Sequence, residues 1–334
     1  DCKLLVEMKP IRLIRHLPTS PPLAPSAITI GNLDGVHAGH QKMLEQVRQA
    51  SLRLALCPTV LTFYPHPKVY FAQQLQRPEL IPGQINGLRD KFTLLAESGM
   101  EQIALLKFDT QMAQMSADEF IEQLLVKQLN MRWLLVGADF RFGHRRGGDV
   151  ALLEQAAKRL GFELQVLKDV TDESGARISS SAVRTALQDG DMESVKQLMG
   201  RPYRVSGHVI HGKKLGRTLG FPTLNVRVSP RTAARFGIYV VRVHGLGPEP
   251  LPGIASLGLR PTTDESVDVL LETHLLNTSL NAYGKLVCIE ILQHVRDEEK
   301  FPDLSTLTIA MQKDRQQAID YFAHHGLQDN LKPD

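Results

Sequence analysis

The stretch that most constrains the fold is residues 28–44, which read ITIGNLDGVHAGHQKML. An apolar run ends at Gly31, Gly35 and Gly39 follow, and apolar residues at helical spacing come directly after. This order predicts a strand, a tight loop and the start of a helix. Because glycine permits close backbone approach and the first N–H groups of a helix have no intrahelical acceptor, the loop is suited to bind an anion such as phosphate.

Two histidines lie at the mouth of the predicted helix. His37 and His40 are three residues apart, so both imidazoles can point towards one phosphate and donate hydrogen bonds to charge that develops on it. An ordinary glycine-rich surface loop is one alternative. A zinc site is another, although zinc normally takes a third and a fourth ligand, and no Cys or carboxylate cluster accompanies this pair.

Length, charge and cysteine usage limit the class of protein. The 334 residues suit two domains, each large enough to bury a core. The net charge of +3 comes without a run of Lys and Arg, so no nucleic-acid partner is expected. Cys2, Cys57 and Cys288 form no CxxC pair, which favours free thiols in a reducing cytoplasm. No stretch is long and apolar enough to predict a membrane span or a signal core, and residues 1–7 before Met8 are left out of fold reasoning.

From about residue 27 to residue 162, short apolar runs alternate with amphipathic stretches. The predicted strands are 27–30, 59–63, 103–106 and 133–136, and the predicted helices are 41–54, 86–97 and 117–129. This alternation predicts a Rossmann-like parallel sheet with helices on both faces. Ligands of such sheets bind beyond the carboxyl ends of the strands, so the loops there should converge on one crevice.

Two of these loops carry unusual side chains. The loop TFYPHP at residues 62–67 holds His66 between two prolines, and the loop VGADFRFGHRRGGD at residues 136–149 flanks Arg141 with aromatic residues. A rigid proline loop can present His66 to a ligand, and the aromatic loop can stack a planar ring and wrap a phosphate. Either could also be an ordinary turn. Asp149 is expected to cap a helix at residues 150–160.

A further candidate anion site is the stretch RISSSAVRTAL at residues 177–187. Its serines can cap a helix whose first turn displays Arg184, so hydroxyl groups, free N–H groups and a guanidinium could face one anion. Serine caps are equally common without any function.

The pattern changes around a short predicted helix at residues 192–199, and a linker is predicted at residues 190–201. Beyond it, apolar and polar residues alternate with period two at residues 203–210, 237–243, 267–275 and 286–292. Turn signals separate these runs, which predicts a small antiparallel β-barrel. A final helix at about residues 304–323 is expected to cover the barrel with Leu307, Ala310 and Met311.

A second phosphate site is expected in the barrel. The basic loop HGKKLGRTLGFPTLNV at residues 211–226 contains three glycines, and Thr223 and Asn225 alternate on the strand that follows, so their side chains point the same way. They could hold Mg²⁺ with the phosphates of ATP, or they could be surface residues. Glu272 is flanked by leucines on another predicted strand, where a carboxylate without a role is costly, and a desolvated carboxylate suits a general base.

The motifs of the first half occur in the order GNLDGVHAGH, TFYPHP, VGADFRFG and ISSSAVR. In this order they resemble the nucleotidyltransferase superfamily and, more closely, the bacterial FAD synthetases. Leu33 stands where phenylalanine is usual in that family and keeps an apolar group. Ser181 stands where threonine is usual and keeps the hydroxyl.

The second half resembles the riboflavin kinase module. The motifs are PTLN at residues 222–225, GLRPT at 258–262, LETHLLN at 271–277, and YGK followed by RDEEKF. The departure is LLN, where an aromatic residue is commoner, and it concerns the packing of a flavin ring rather than phosphoryl transfer. The two resemblances run from Met8 to about Phe322, and the chain is identified as a member of the bacterial bifunctional riboflavin kinase and FMN adenylyltransferase family.

This resemblance implies two reactions. Residues 8–189 would transfer AMP from ATP to FMN, giving FAD and pyrophosphate, and residues 202–326 would phosphorylate riboflavin with ATP to give FMN. Mg²⁺ is the implied cofactor, ATP is the co-substrate, and no bound redox cofactor is expected. The alternatives are a nucleotidyltransferase that acts on another phosphate acceptor and a non-catalytic flavin-binding or RNA-binding protein.

The resemblance also implies which residues form each site. The adenylyltransferase set comprises catalytic His37, His40 and Arg184, ATP- and phosphate-binding Gly31, Asn32, Asp34, Gly39, Arg177, Ser180 and Ser181, and His66, Asp139, Phe140 and Arg141 beside FMN or the nucleotide. The kinase set comprises the base Glu272, ATP-binding Gly212, Lys213, Gly216, Thr218, Gly220, Thr223 and Asn225, and Arg296 near the flavin. Because each set has its own phosphate loop, the two sites are expected to act independently.

Overall fold

The structure is a computed structural model, and it describes residues 11–17, 23–168, 170–171, 175–211, 223–261, 267–276 and 280–326. The chain divides into two compact units. The α/β unit contains the described parts of Met8–Pro82 and Lys91–Ser179, and the barrel unit contains those of Gly83–Asp90 and Ser180–Asp334.

The α/β unit is built on a six-stranded sheet in which all neighbouring strands are parallel. Its strands are β1 Arg12–Ile14, β2 Ser26–Ile30, β3 Cys57–Tyr64, β4 Gln102–Lys107, β5 Met131–Gly137 and β6 Glu163–Leu167. Their order is β1-β4-β3-β2-β5-β6. From β2 the chain adds β3 and β4 on one side and β5 and β6 on the other, and β1 pairs with β4 at the edge. The predicted Rossmann-like sheet is confirmed, and the two edge strands β1 and β6 are additions to it.

Helices lie between these strands from β2 onwards. They are α1 Ala38–Leu54, α2 Pro67–Gln74, α3 Leu88–Glu97, α4 Thr110–Gln114, α5 Ala117–Glu119 with a π-helix at Phe120–Gln128, and α6 Val150–Leu160. Alternate strand residues face two different layers: Ile28 and Leu134 pack with the π-helix and α6, whereas Ala27 and Trp133 pack with α1 and α3. Burial on both faces explains why the central strands read as continuous apolar runs.

The barrel unit contains six antiparallel strands in the order β7-β12-β9-β10-β11-β8. They are β7 Tyr203–His208, β8 Thr223–Val228, β9 Gly237–His244, β10 Leu251–Pro261, β11 Val267–Leu275 and β12 Leu286–Arg296. Just past β7, the N–H of Ile210 donates to the carbonyl of Asn225 at 2.9 Å, which brings the two ends of the sheet together. The predicted antiparallel barrel is therefore confirmed, with β10 as a strand that the period-two pattern missed.

In its described residues, the barrel unit has the helices α7 Ser180–Asp189, α8 Met192–Met199 and α9 Leu304–His325. The fully buried residues of α9 are Asp314 and Ala318, and Ala318 packs with Val240 and Ile254 of the barrel. The predicted covering residues Leu307 and Met311 are only partly buried and line a cavity instead.

Residues Gly83–Asp90 are part of the barrel unit although they lie far upstream in the sequence. Ile85 is 1% exposed in the barrel core, and its carbonyl accepts the hydroxyl of Tyr203 at 2.8 Å. The side-chain amide of Asn86 donates to the carbonyl of Arg204 at 3.2 Å. This segment and α7 both precede the predicted linker at 190–201, so the barrel unit is assembled from separate parts of the chain.

Candidate active sites

The first candidate site is the loop between β2 and α1. Gly35 takes a left-handed φ of 82°, and Leu33 does so at 48°. His37 caps α1, because its Nδ1 accepts the N–H of His40 at 3.4 Å. The two imidazole rings stack with centroids 3.6 Å apart and planes inclined by 19°. Both predicted histidines therefore lie together at the helix N-terminus, where unpaired N–H groups favour an anion.

Gly39 allows a second motif to approach this loop. A Cβ on Gly39 would lie 3.2 Å from Nδ1 of His37 and 3.5 Å from the carbonyl oxygen of Ile178. The adjacent Arg177 donates from Nη2 to Asp139 at 3.0 Å. The loop that carries His37 and His40, the aromatic loop at residues 136–149 and the start of the serine motif at residues 177–187 are thus neighbours in the α/β unit.

A buried lysine that the sequence did not single out lies close to the same loop. Lys91 is 6% exposed, and its Nζ donates to Oγ1 of Thr62 at the end of β3 at 3.0 Å. Burial lowers the pKa of Lys91 to about 8, and the nearby Asp34 carboxylate opposes that shift. A lysine in an amphipathic helix carries no sequence signal of burial, so only the fold reveals it.

Other predicted residues of the first site make local contacts. His66 caps α2 by accepting the N–H of Lys68 at 2.9 Å, and Arg141 pairs with Asp149 at 3.1 Å. Phe140 stacks on Phe142, with centroids 5.4 Å apart. Gly31 and Asn32 lie in the loop itself, half-buried.

The serine motif is shared between the two units. Arg177 lies in the α/β unit, whereas Ser180 and Ser181 form the first turn of α7 in the barrel unit. Arg184, on the same helix, donates from Nε to the carbonyl of Gly83 at 2.6 Å.

The second candidate site lies on one face of β8 and β11. Asn225 stands opposite Glu272 in the register, and Thr223 stands opposite His274, so the four side chains share that face. Asn225 is 3% exposed, and its Oδ1 is buried without a hydrogen-bond donor among the described residues. An amide oxygen in this state fits a hard cation such as Mg²⁺, which takes oxygen ligands.

Glu272 is held by an ion pair rather than isolated. Its Oε1 lies 3.2 Å from Nε of Arg260, and 28% of the side chain is exposed. Arg260 also contacts Glu298 at 3.0 Å and donates to the hydroxyl of Ser256 at 3.0 Å. Glu272 is therefore less desolvated than the sequence predicted, and Arg260 is its partner. Arg260 and Glu298 lie in the quoted motifs GLRPT and RDEEKF but were not assigned a role from the sequence, and Ser256 lies outside those motifs.

A cavity of ≈ 680 Å³ adjoins these residues within the barrel unit. Glu272, Thr223 and Arg296 line it, together with Phe301 and the α9 residues Leu307 and Met311. Arg296 is fixed by a bidentate pair with Asp314, at 2.9 and 2.7 Å, and its guanidinium lies 5.5 Å from the centroid of the Phe301 ring. The predicted base, the predicted magnesium ligand Thr223 and the predicted flavin-site arginine thus border one space.

The predicted phosphate loop of the barrel, with Gly212, Lys213, Gly216, Thr218 and Gly220, lies outside the described residues. Within the described ranges, no group of three or more His, Cys, Asp and Glu side chains is arranged to hold a metal ion. The helices of those ranges also fall short of the length and apolar character that a membrane span requires.

Comparison with known proteins follows the division into halves. Residues 20–182 match the FAD synthetase family model, and residues 199–322 match the riboflavin kinase model. A bifunctional riboflavin kinase/FMN adenylyltransferase from Escherichia coli strain K12 is 38% identical over 315 residues, which cover 94% of this chain and 98% of that protein. The chain belongs to this bifunctional family. The resemblance read from the motifs is confirmed, with FAD synthetase first and riboflavin kinase second along the chain.

Two further relatives extend the comparison. The Haemophilus influenzae member of the family is 40% identical over 296 residues, which cover 89% of this chain and 94% of that protein. A crystal structure described as a macrolide-efflux protein from Streptococcus pneumoniae is similar with a TM-score of 0.73 and 26% identity, over 93% of this chain and all of that one.

Proposed function

We propose that this chain makes FAD from riboflavin in two steps, each with its own set of residues. Residues 202–326 phosphorylate riboflavin with ATP to give FMN, and residues 8–189 adenylate FMN with a second ATP to give FAD and pyrophosphate. Membership of the bifunctional family supports both activities. We also assign the enzyme to the cytoplasm, since ATP is its co-substrate and Cys57 is a free thiol.

The kinase assignment rests on the face shared by Asn225, Thr223 and Glu272. Glu272 accepts the proton of the terminal ribityl hydroxyl as that oxygen attacks the γ-phosphate. Asn225 and Thr223 would hold Mg²⁺, and the ion would neutralise charge on the transferred phosphoryl group. The single observation that carries this assignment is the Oδ1 of Asn225, which is buried and accepts no donor from the part of the chain that the structure describes.

The flavin ring occupies the ≈ 680 Å³ cavity, whose volume is typical of a site for a small molecule. Phe301 supplies an aromatic wall, and Ile238 and Ile254 supply apolar ones. Arg296 is positioned by Asp314 to meet a polar edge of the ring or the ribityl chain. Phe301 offers the aromatic contact that residues 275–277 do not supply by sequence.

Adenylyl transfer needs no general base, because the phosphate of FMN is already ionised and can attack the α-phosphate of ATP directly. His37 and His40 stabilise charge on the phosphates at the N-terminus of α1, and Arg177 adds a cation beside the same loop. Ser180, Ser181 and Arg184 are assigned to this reaction through the family motif.

Two variants test the division of labour, with riboflavin, Mg²⁺ and ATP as substrates and chromatographic separation of the flavins. Replacing His37 and His40 by alanine should stop FAD synthesis while FMN accumulates, since preorganised donors are worth roughly 2–4 kcal/mol each. Asn225→Ala should stop FMN formation yet leave added FMN convertible to FAD. Loss of both activities in either variant, with an unchanged circular dichroism spectrum, would contradict two independent sites.

The same assay separates the alternatives. A nucleotidyltransferase for another acceptor would leave riboflavin and added FMN unchanged and would consume ATP only when its own phosphate acceptor is supplied. A non-catalytic flavin-binding protein would return riboflavin unchanged.

A further inference from the structure

Arg260 is shared by two carboxylates on the wall of the barrel cavity. Its Nε lies 3.2 Å from Oε1 of Glu272, and its Nη1 lies 3.0 Å from Oε1 of Glu298. Glu298 also accepts the hydroxyl of Ser256 at 3.1 Å, and Ser256 accepts Nη2 of Arg260 at 3.0 Å. The guanidinium is therefore fixed from several sides in a partly buried position.

Glycine at position 258 makes room for this arrangement. A Cβ on Gly258 would clash with the carboxylate of Glu298. Its backbone does not take a left-handed φ, so glycine is not required there by the turn itself. The first residue of the GLRPT motif thus leaves space for the Glu298 carboxylate beside Arg260.

The contacts of Arg260 give Glu298 a role. Glu298 accepts Nη1 of Arg260 directly and holds Ser256, which accepts Nη2, while Nε faces Glu272. Because a guanidinium is planar and donates in fixed directions, the groups that fix Nη1 and Nη2 also fix the direction in which Nε meets Glu272. Glu298 therefore orients the arginine that holds the proton acceptor.

We infer that Glu298 is a positioning residue of the kinase reaction, which acts through Arg260 on the proton acceptor Glu272. The inference rests on the proposed role of Glu272 as the base. The inferred role concerns proton transfer, because Glu298 contacts Arg260 and Ser256, whereas Thr223 and Asn225 are assigned to the nucleotide.

The first test is Glu298→Gln, which keeps the shape and removes the charge. We expect kcat for FMN formation to fall roughly 10-fold, short of the roughly 100-fold or greater loss expected for Glu272→Gln. KM for ATP should stay within about 2-fold, because Glu298 contacts Arg260 and Ser256 rather than the proposed nucleotide ligands Thr223 and Asn225. Unchanged kcat would overturn the inference.

Gly258→Ala provides an independent perturbation, because it displaces the Glu298 carboxylate without removing any charge from the protein. It should lower kcat in the same direction as Glu298→Gln. Glu193→Gln is the matched control on α8: Glu193 is exposed, accepts the side-chain amide of Gln197 at 3.3 Å and does not line the cavity, so the change should leave kcat unaltered. A full kcat in Gly258→Ala would contradict the role of Glu298 even if Glu298→Gln failed to fold.

A double-mutant cycle identifies the route of the effect. In an Arg260→Gln background, Glu298→Gln should cause no further loss of kcat, since the charge through which it acts is gone. An equal loss in both backgrounds would show that Glu298 acts without Arg260, against the inference.

The assignment of Glu272 as the base is judged separately. If Glu272→Gln keeps its kcat, the proposed function of Glu272 fails. If Glu272→Gln loses kcat while Glu298→Gln keeps it, only the present inference fails.

Discussion

Replacing Ile85 by alanine should destabilise the barrel unit from a position about 120 residues before its first strand in the sequence. Ile85 is 1% exposed and packs in the same core as Val205 and Leu257. Truncation of a buried isoleucine to alanine typically costs roughly 2–5 kcal/mol, because the side chain's transfer energy is lost and a cavity remains.

The expected loss of stability can be expressed as a shift in the midpoint of thermal unfolding, which depends on the size of the unit. For a unit of about 160 residues, each kcal/mol corresponds to roughly 2–4 °C, so the midpoint should fall by roughly 4–20 °C. The assay is thermal inactivation of riboflavin phosphorylation, followed beside calorimetric unfolding of the whole chain. A shift of this size would show that the upstream segment contributes to barrel stability.

The matched control is Leu80→Ala. Leu80 lies five residues earlier, is 44% exposed and belongs to no buried cluster of the described residues, so its truncation should change stability by less than about 0.5 kcal/mol. If Ile85→Ala left the kinase midpoint unchanged while the adenylyltransferase lost its heat resistance, the assignment of Gly83–Asp90 to the barrel unit would be refuted.

Three other perturbations give distinct readouts. Burial lowers the pKa of Lys91 from 10.5 to about 8, so the unfolded chain binds more protons than the folded chain between these two pH values. The unfolding free energy, measured by urea titration relative to Lys91→Met, should therefore rise by roughly 3 kcal/mol across that range. A difference between the two proteins that does not change with pH would contradict the burial. For Glu290, burial by itself raises the pKa, but the hydrogen bond with His244 and the adjacent arginine outweigh it and lower the pKa to about 2. The stability that Glu290 adds is complete above pH 4.5 and declines towards pH 2, so the advantage over Glu290→Gln should shrink by roughly 2 kcal/mol between pH 5 and pH 3; an advantage independent of pH would disprove the ion pair. Asp314→Asn should raise KM for riboflavin about 10-fold, because Arg296 loses a charged bidentate partner, while FMN adenylation serves as the unaffected control; an unchanged KM would remove Arg296 from the flavin site.

The sequence by itself determined the two kinds of sheet and the order of the motifs. Strands buried on both faces read as apolar runs, and strands with one polar face alternate, so period and length were enough to distinguish them. The start of a helix could also be predicted from the local sequence. Asp149 accepts the N–H of Leu152 at 3.0 Å, as its position before an apolar periodic stretch predicted.

Local spacing also predicted which side chains lie together when they share one strand or one helix end. His37 and His40 stack at the start of α1, and Thr223 and Asn225 share a face of β8, because spacing along a regular element fixes direction. The edge strands β1 and β6 and the glycine-containing β10 were missed, since three- to eleven-residue stretches with mixed burial give weak periodic signals.

Only the tertiary structure decided which remote groups meet. The carbonyl of Ile85 accepts from Tyr203, 118 residues away, and Arg260 pairs with Glu298, 38 residues away. Burial of Lys91 likewise depends on Thr62 and on the loop that carries Asp34. Such contacts join side chains that are far apart in the sequence. Their energies depend on exclusion of water by the assembled unit, a property that no local pattern of residues encodes.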